Sequence, residues 1–200
     1  MSAVAQSPSP AYSGDPAVLG LPMFVVGSIA LGLALTGYVS PAAAASVVPI
    51  LLMATGLGLL ISAVWAAALG QSMVASIFGV FAGFWLSYSV LVLGLNHDWF
   101  KIPAADVADS VALFQLAWAI ALAMVTLATL KLPLAFTAIA ALVVVALVML
   151  VISTKNADAD LAKAAGYVVF VFAAIGVYAF LGAASAASGG KGYPLGPSLL

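Results

Sequence analysis

The chain has no cysteine, no arginine and no glutamate. The first absence excludes a disulfide framework and any thiolate site. The other two leave every formal charge on five lysines and six aspartates, for a net charge of −1. No basic patch offers itself to nucleic acid. Histidine occurs once, at His97. A metal site needs several converging ligands, and a weak nucleophile needs a neighbouring base. One histidine and a few loop aspartates assemble neither. No catalytic residue, metal or cofactor is expected, and the protein is not read as an enzyme.

Charge of either sign is scarce. Only 6% of the 200 residues are charged and 66% are hydrophobic, against roughly 25% and about 45–50% in soluble domains. Too few polar side chains remain to cover a water-facing surface, so lipid must be most of the solvent. Strands of a membrane barrel would alternate apolar and polar residues over about 10 positions. The long unalternating runs here instead predict α-helices, which satisfy their own backbone within one segment.

Between Asp15 and Asp98 no residue is formally charged. Two turn signals cut this run, Gly37-Tyr38-Val39-Ser40-Pro41 and Gly70-Gln71-Ser72. They predict crossings at Leu19–Tyr38, Ala45–Leu69 and Met73–Leu95, each near the length a ~30 Å hydrocarbon core requires. Asn96–Ser110 is a polar interruption that holds His97, Asp98, Lys101, Asp106 and Asp109. Beyond it, Val111–Leu130, Leu134–Ser153 and about Ala164–Ala184 complete six crossings. On this reading every charge falls in a tail or a connection, and His97 is a solvated loop residue. The even count puts both termini on one side. Lys131 and Lys191 lie on that side, and Lys101, Lys155 and Lys163 on the other. That leaves orientation open under the positive-inside rule.

Met1–Gly14 is polar and rich in Ser, Pro and Ala, with no basic n-region. It reads as a flexible tail rather than a signal peptide. The predicted organisation is a tail over 1–14, a six-helix transmembrane domain over 15–184 and a Gly/Ser/Pro-rich tail over 185–200. The fold class is an all-α membrane bundle, with the lipid bilayer as its principal partner.

Inside the spans the polar side chains are mild: Ser28, Thr36, Thr55, Ser62, Gln115 and Thr137 among them. Such groups bond helix to helix or line a pathway gated by apolar rings, and the inventory leaves both open. Gly79 and Gly83, four apart, let backbones approach closely, either within a protomer or between copies. A transporter or channel is favoured over an enzyme or a scaffold.

Four segments, in order, resemble the acetate uptake transporter family of the succinate–acetate permease type. Asp15-Pro16-Ala17-Val18-Leu19-Gly20-Leu21 is similar to that family's Asn-Pro-Ala-Pro-Leu-Gly-Leu signature at the start of the first helix. Phe81-Ala82-Gly83-Phe84-Trp85-Leu86-Ser87 resembles its Tyr-Gly-Ser/Ala-Phe-Trp-Leu-Ser stretch in the third. Gly166-Tyr167 with Tyr178 matches a spacing in the sixth, and Tyr193-Pro194-Leu195-Gly196 is similar to a C-terminal Leu-Pro-Ile/Leu-Gly. The resemblance spans residues 15 to 196.

The resemblance implies a channel or transporter for small monocarboxylates, acetate leading and succinate a further candidate. The substrate would travel alone or with a proton. It implies an apolar constriction formed by one residue each from the first, third and fifth helices. Carried over, that falls on Phe24, on Phe81 and on Leu142 or Val143. Asp15, Leu19, Gly20, Ser28 and Trp85 become substrate-binding candidates. It further implies a homo-oligomer, a hexamer with one pathway per protomer, in the cell membrane with cytoplasmic termini. Gln71-Ser72-Met73 replaces the family's Asn-Thr-Phe, and three single positions also depart from its pattern. Asp15 replaces Asn, and in its ionised form would repel a carboxylate. Phe81 stands where Tyr is usual, and Ala66 where a related stretch ends in Glu. These losses would suit an alternative, a non-transporting sensor or assembly partner that keeps the fold.

Overall fold

A computed structural model describes residues 13–200. The tail expected over 1–14 therefore lies, apart from Ser13 and Gly14, outside the described residues. Six helices are long and apolar enough to cross a membrane, and among the described residues there is no strand.

Helix α1 runs from Ala17 to Leu35. Asp15 starts it, its Oδ1 accepting the Ala17 N–H at 2.9 Å. Pro16 follows, in the first turn, where its missing N–H leaves no hydrogen bond unmade. The second span differs from a plain helix. It opens as 3-10 turns over Pro41–Val47, widens into π-helical turns over Ile50–Gly56 and becomes α-helical only in α2, Leu57–Ala68. Pro49, just before the wide turns, has no amide to donate and crowds the carbonyl four residues back. Directly after it, over Ile50–Gly56, the backbone bonds one residue further along than in an α-helix.

Helices α3 (Ser72–Asn96), α4 (Val107–Ala128), α5 (Leu134–Asn156) and α6 (Ala159–Ala187) complete the bundle. A 3-10 turn over Thr129–Lys131 extends α4. The last three helices are longer than the apolar runs that predict them. This corrects the expectation that every charge sits in a connection. Asp109 lies in the first turn of α4, Lys155 in the last turn of α5, Asp160 in the first turn of α6, and Lys163 one turn further into α6. Acidic side chains favour helix N-termini and basic ones C-termini, so Asp109, Lys155 and Asp160 lengthen helices rather than end them. Asp158 caps α6 by accepting the Leu161 N–H at 2.9 Å. Lys155 Nζ pairs with Asp109 Oδ1 at 2.6 Å and ties the end of α5 to the start of α4.

Packing runs α1 on α6, α6 on α5, α5 on α4, and α2 on α3. Glycine permits the closest approaches. A Cβ at Gly27 of α1 would collide with the Thr55 hydroxyl in the second span. The Gly79/Gly83 face is used inside the protomer: a Cβ at Gly83 would stand 3.2 Å from Trp118 of α4, and one at Gly79 3.8 Å from Ala63 of α2. Helices α3 and α4 are consecutive yet touch little through their backbones. Aromatic rings fill that seam, Phe84 meeting Trp118 at 5.6 Å and Phe114 at 6.1 Å.

Both ends of the described chain lie at the end of the bundle that carries the α4–α5 turn. Gly14 packs on Trp65, near the end of α2. The segment after α6 folds back as a strap. Tyr178 Oη donates to the Pro194 carbonyl at 3.0 Å, and Tyr178 and Tyr193 pack ring to ring at 5.4 Å. The Leu134 N–H donates to Pro197 O and the Ala135 N–H to Leu195 O, each at 3.0 Å. The N–H groups of Leu199 and Leu200 reach Leu130 O. The strap thus satisfies first-turn donors of α5 and an orphan carbonyl at the end of α4, groups that a helix cannot satisfy itself.

Candidate functional site

The middle of the bundle is built from phenylalanines. Phe24 of α1 meets Phe81 of α3 edge to face, with ring centroids 5.1 Å apart and planes at 71°. Phe172 of α6 joins from the side, 5.7 Å from Phe24. All three are buried. Edge-to-face contact places the positive ring edge on the negative ring face and is a favoured aromatic geometry.

A cavity lies on each side of this contact, and Phe24 and Phe81 line both. The first, about 190 Å³, extends toward the chain termini, where Asp15, Thr129 and Leu132 border it. Its walls include Leu21, Phe78, Ile139 and Ala140. The second, about 80 Å³, extends toward Leu35 and Leu150 at the other ends of α1 and α5. Trp85, Tyr88 and Gln115 border it, opposite Val143, Val169 and Phe172. No lysine lines either cavity. Among the described residues no group of three His, Cys, Asp or Glu side chains converges.

This division of an apolar six-helix bundle into two chambers can be set beside known proteins. The model of the GPR1/FUN34/yaaH family matches residues 1–192. The chain belongs to the GPR1/FUN34/yaaH family. Among solved structures, the bacterial acetate channel SatP superposes with a TM-score of 0.80, covering 92% of this chain and 99% of SatP. Sequence identity is 19%, so this likeness shows the fold. No curated protein matches the chain.

Within this member of the GPR1/FUN34/yaaH family, the residues singled out from sequence fall in different places. Phe24 and Phe81 meet. Of the two α5 candidates, Val143 is buried and lines the second cavity, while Leu142 is only half-buried and lines neither. One residue along a helix turns the side chain by about 100°, which accounts for the difference. Asp15 borders the first cavity, but its carboxylate already occupies the N–H of Ala17. Leu19 is half-buried and lines neither cavity. Gly20 is buried where a Cβ would collide with the Phe78 ring. Ser28 is fully buried, and its hydroxyl donates to Phe24 O at 2.8 Å. Trp85 lines the second cavity, and its buried Nε1–H has no partner among the described residues.

Ser28 is one case of a general pattern. Ser62, Ser89 and Thr126 also donate back to the carbonyl four residues earlier. Such bonds satisfy the hydroxyl within its own helix. Both cavities are mostly apolar, with a few polar groups at their ends. Ala66, where the resemblance has Glu, is fully buried in α2. An unpaired carboxylate there would be costly to desolvate.

Three contributors were not singled out as site residues from sequence. Phe172 is one aromatic among many apolar neighbours in α6. Tyr88 lies one residue past the Phe81–Ser87 stretch that carries the family likeness. Gln115 carried a usable signal, being the only carboxamide well inside a span. Its Oε1 accepts a hydrogen bond from Thr154 Oγ1 of α5 at 3.1 Å.

Proposed function

We propose that this protein is a membrane channel or transporter for small monocarboxylates, with acetate as the lead substrate. In this reading Phe24, Phe81, Phe172 and Val143 form the narrowest point of the pathway. The observation that carries it is the single aromatic contact between two cavities. The family and the fold shared with an acetate channel support the choice of substrate. The protein would sit in the cell membrane as a homo-oligomer, a hexamer with one pathway per protomer, with cytoplasmic termini.

The chemistry of the contact sets the terms of passage. A carboxyl group with a pKa of roughly 4–5 is mostly ionised at neutral pH. Stripping water from that anion between phenyl rings is costly. Passage then requires a proton travelling with the substrate, or donors beyond the rings that replace water. A short apolar tail suits the rings, and a second carboxylate does not.

The test is uptake of labelled acetate into proteoliposomes at about pH 5 and pH 7, for the wild type and for Phe81→Trp. Wild-type flux well above that of empty liposomes, and faster at the lower pH, is the expected result. Flux equal to empty liposomes at both pH values would remove acetate as the substrate.

A further inference from the structure

The two walls of the first cavity are held in different ways. One wall comes from α1 and α3, with Leu21 and Phe78 among its residues. These helices meet directly, since a Cβ at Gly20 would collide with the Phe78 ring. The other wall is the end of α4, the turn after it and the start of α5, with Thr129, Leu132 and Phe136. Neither α4 nor α5 packs closely on α1, and α4 touches α3 little through its backbone. The α4–α5 hairpin joins the rest of the bundle mainly through α6, on which α5 packs. The strap is rooted on the same helix. Tyr178 Oη donates to Pro194 O at 3.0 Å and Ser185 Oγ to Lys191 O at 2.8 Å. A Cβ at Gly182 would stand 2.9 Å from the Tyr193 Cβ. From that root the strap reaches Leu130, Leu134 and Ala135 through backbone bonds, and these residues alternate with the ones that line the cavity. The turn itself is stiff: Thr129 O accepts from both the Thr137 hydroxyl and the Leu132 N–H, each at 2.8 Å. It therefore moves as one piece with whatever holds it. Gly196 makes the grip possible. Its φ is +82°, and a Cβ there would lie 3.0 Å from the Leu134 Cβ, so the backbone bends to aim Leu195 O and Pro197 O at successive amides.

We propose that the strap sets the width of the first cavity, with Gly196 and Tyr178 as positioning residues that act through the α4–α5 turn. The strap braces the hairpin from α6 at the end of the bundle where the cavity borders Asp15 and Leu132. With the brace in place, Thr129, Leu132 and Phe136 stand at a fixed distance from the α1–α3 wall. With it released, the two amides and the Leu130 carbonyl turn to water or headgroups, and the hairpin end leans away from that wall. The cavity then admits bulkier molecules. The bearing of this on substrate choice rests on the reading of the protein as a monocarboxylate channel or transporter, while the width itself does not. On that reading the strap selects for chain length: it keeps the apolar space matched to a short alkyl tail, and its loss favours longer monocarboxylates over acetate.

The experiment uses the full chain in proteoliposomes. The chain has no cysteine, so a single one reports cleanly. Ala140→Cys places a thiol in the first cavity, on α5. Its labelling by a small and by a bulky methanethiosulfonate is timed alone and with Gly196→Val, Gly196→Asn or Tyr178→Phe. Asn tolerates the left-handed backbone and Val does not, so the strap holds in the first and lets go in the second. The strain of a left-handed Val predicts that bulky labelling quickens about tenfold in Gly196→Val. Small-reagent labelling should change far less, and Gly196→Asn should stay near the parent. Loss of one hydrogen bond in Tyr178→Phe predicts about a fivefold gain for the bulky reagent. Hydrogen exchange at the Leu134 and Ala135 amides should quicken in the same order. Without Ala140→Cys, the ratio of butyrate to acetate flux should rise several-fold in Gly196→Val and hold in Gly196→Asn. A loss of folded protein lowers both fluxes and leaves that ratio unmoved. If Gly196→Val does not fold, Tyr178→Phe carries the test on the same terms. Quickened exchange with an unchanged ratio of bulky to small labelling overturns the proposal and leaves the proposed function standing, and so does unchanged exchange. A raised labelling ratio with no acetate flux in the wild type supports the strap's control of width and removes the transport reading.

Discussion

The two cavities that share the Phe24–Phe81 contact differ more in chemistry than in size. The first carries the Asp15 carboxylate at its border, and its bordering hydroxyl, Thr129, donates to Thr126 O at 2.7 Å. It therefore offers an acceptor and no free side-chain donor. The second is bordered by Gln115, whose amide N–H groups are unused among the described residues, and by no carboxylate. A small carboxylic acid meets opposite conditions on the two sides of one ring contact. The first favours the neutral acid, which can donate to Asp15. The second favours the anion. On the proposed function, the phenylalanines need not act alone: the groups behind and before them would bias which protonation state arrives and which stays.

The strongest way to break this comparison is to seal the contact itself. Phe81→Trp fills the space between the cavities, and acetate flux should fall at least about tenfold, toward the level of empty liposomes. Phe81→Ala should do the reverse, raising flux several-fold while costing about 3–5 kcal/mol of stability. Thermal unfolding in detergent checks the second figure, and an unaltered flux in both variants would place the pathway elsewhere.

A smaller effect sharpens the contrast between the two ends. Asn caps a helix about as well as Asp, so Asp15→Asn keeps α1 in place and removes the charge. Acetate flux should rise about two- to fivefold at pH 7, where the substrate is mostly anion, and less at pH 5. The ratio of the two gains is the readout, and equal gains would mean that Asp15 does not act on the anion.

The two ends should also differ in what holds them shut. The strap on the first-cavity side is held in part by the Tyr178 hydroxyl. Tyr178→Phe should lower stability by about 1 kcal/mol. On the second-cavity side, the Asp109–Lys155 pair is 51% and 69% exposed at Lys and Asp. Screening leaves such a pair worth less than about 1 kcal/mol, so Asp109→Asn should shift the unfolding midpoint least of all. A larger loss in Asp109→Asn than in Tyr178→Phe would reverse the ranking of the two ends.

What could be read from sequence, and what could not, follows from the lipid solvent. The number and order of the spans were legible because missing charge marks hydrocarbon directly. Helix ends were not, because hydropathy tracks the bilayer while α4, α5 and α6 run past it on Asp109, Lys155 and Asp158. The π-helical turns were signalled by Pro49 but not placed, since proline also occurs in ordinary membrane helices. Inward faces were the hardest to read. A helix apolar all round carries no amphipathic stripe, so Leu142 and Val143 were indistinguishable and Phe172 was hidden among its neighbours. Phe24 and Phe81 were found through motif resemblance, not periodicity.

The strap has a consequence for how the protein is made. The N–H groups of Leu134 and Ala135 and the carbonyl of Leu130 find their partners between Leu195 and Leu200. Those partners leave the ribosome only after α5 and α6 have been synthesised. Until then the α4–α5 turn must rely on water or headgroups for these bonds. The border of the first cavity, where Thr129 and Leu132 stand, is thus among the last parts of the molecule to be locked. An inserting chain keeps that end loose, and translation of Leu195–Leu200 fastens it.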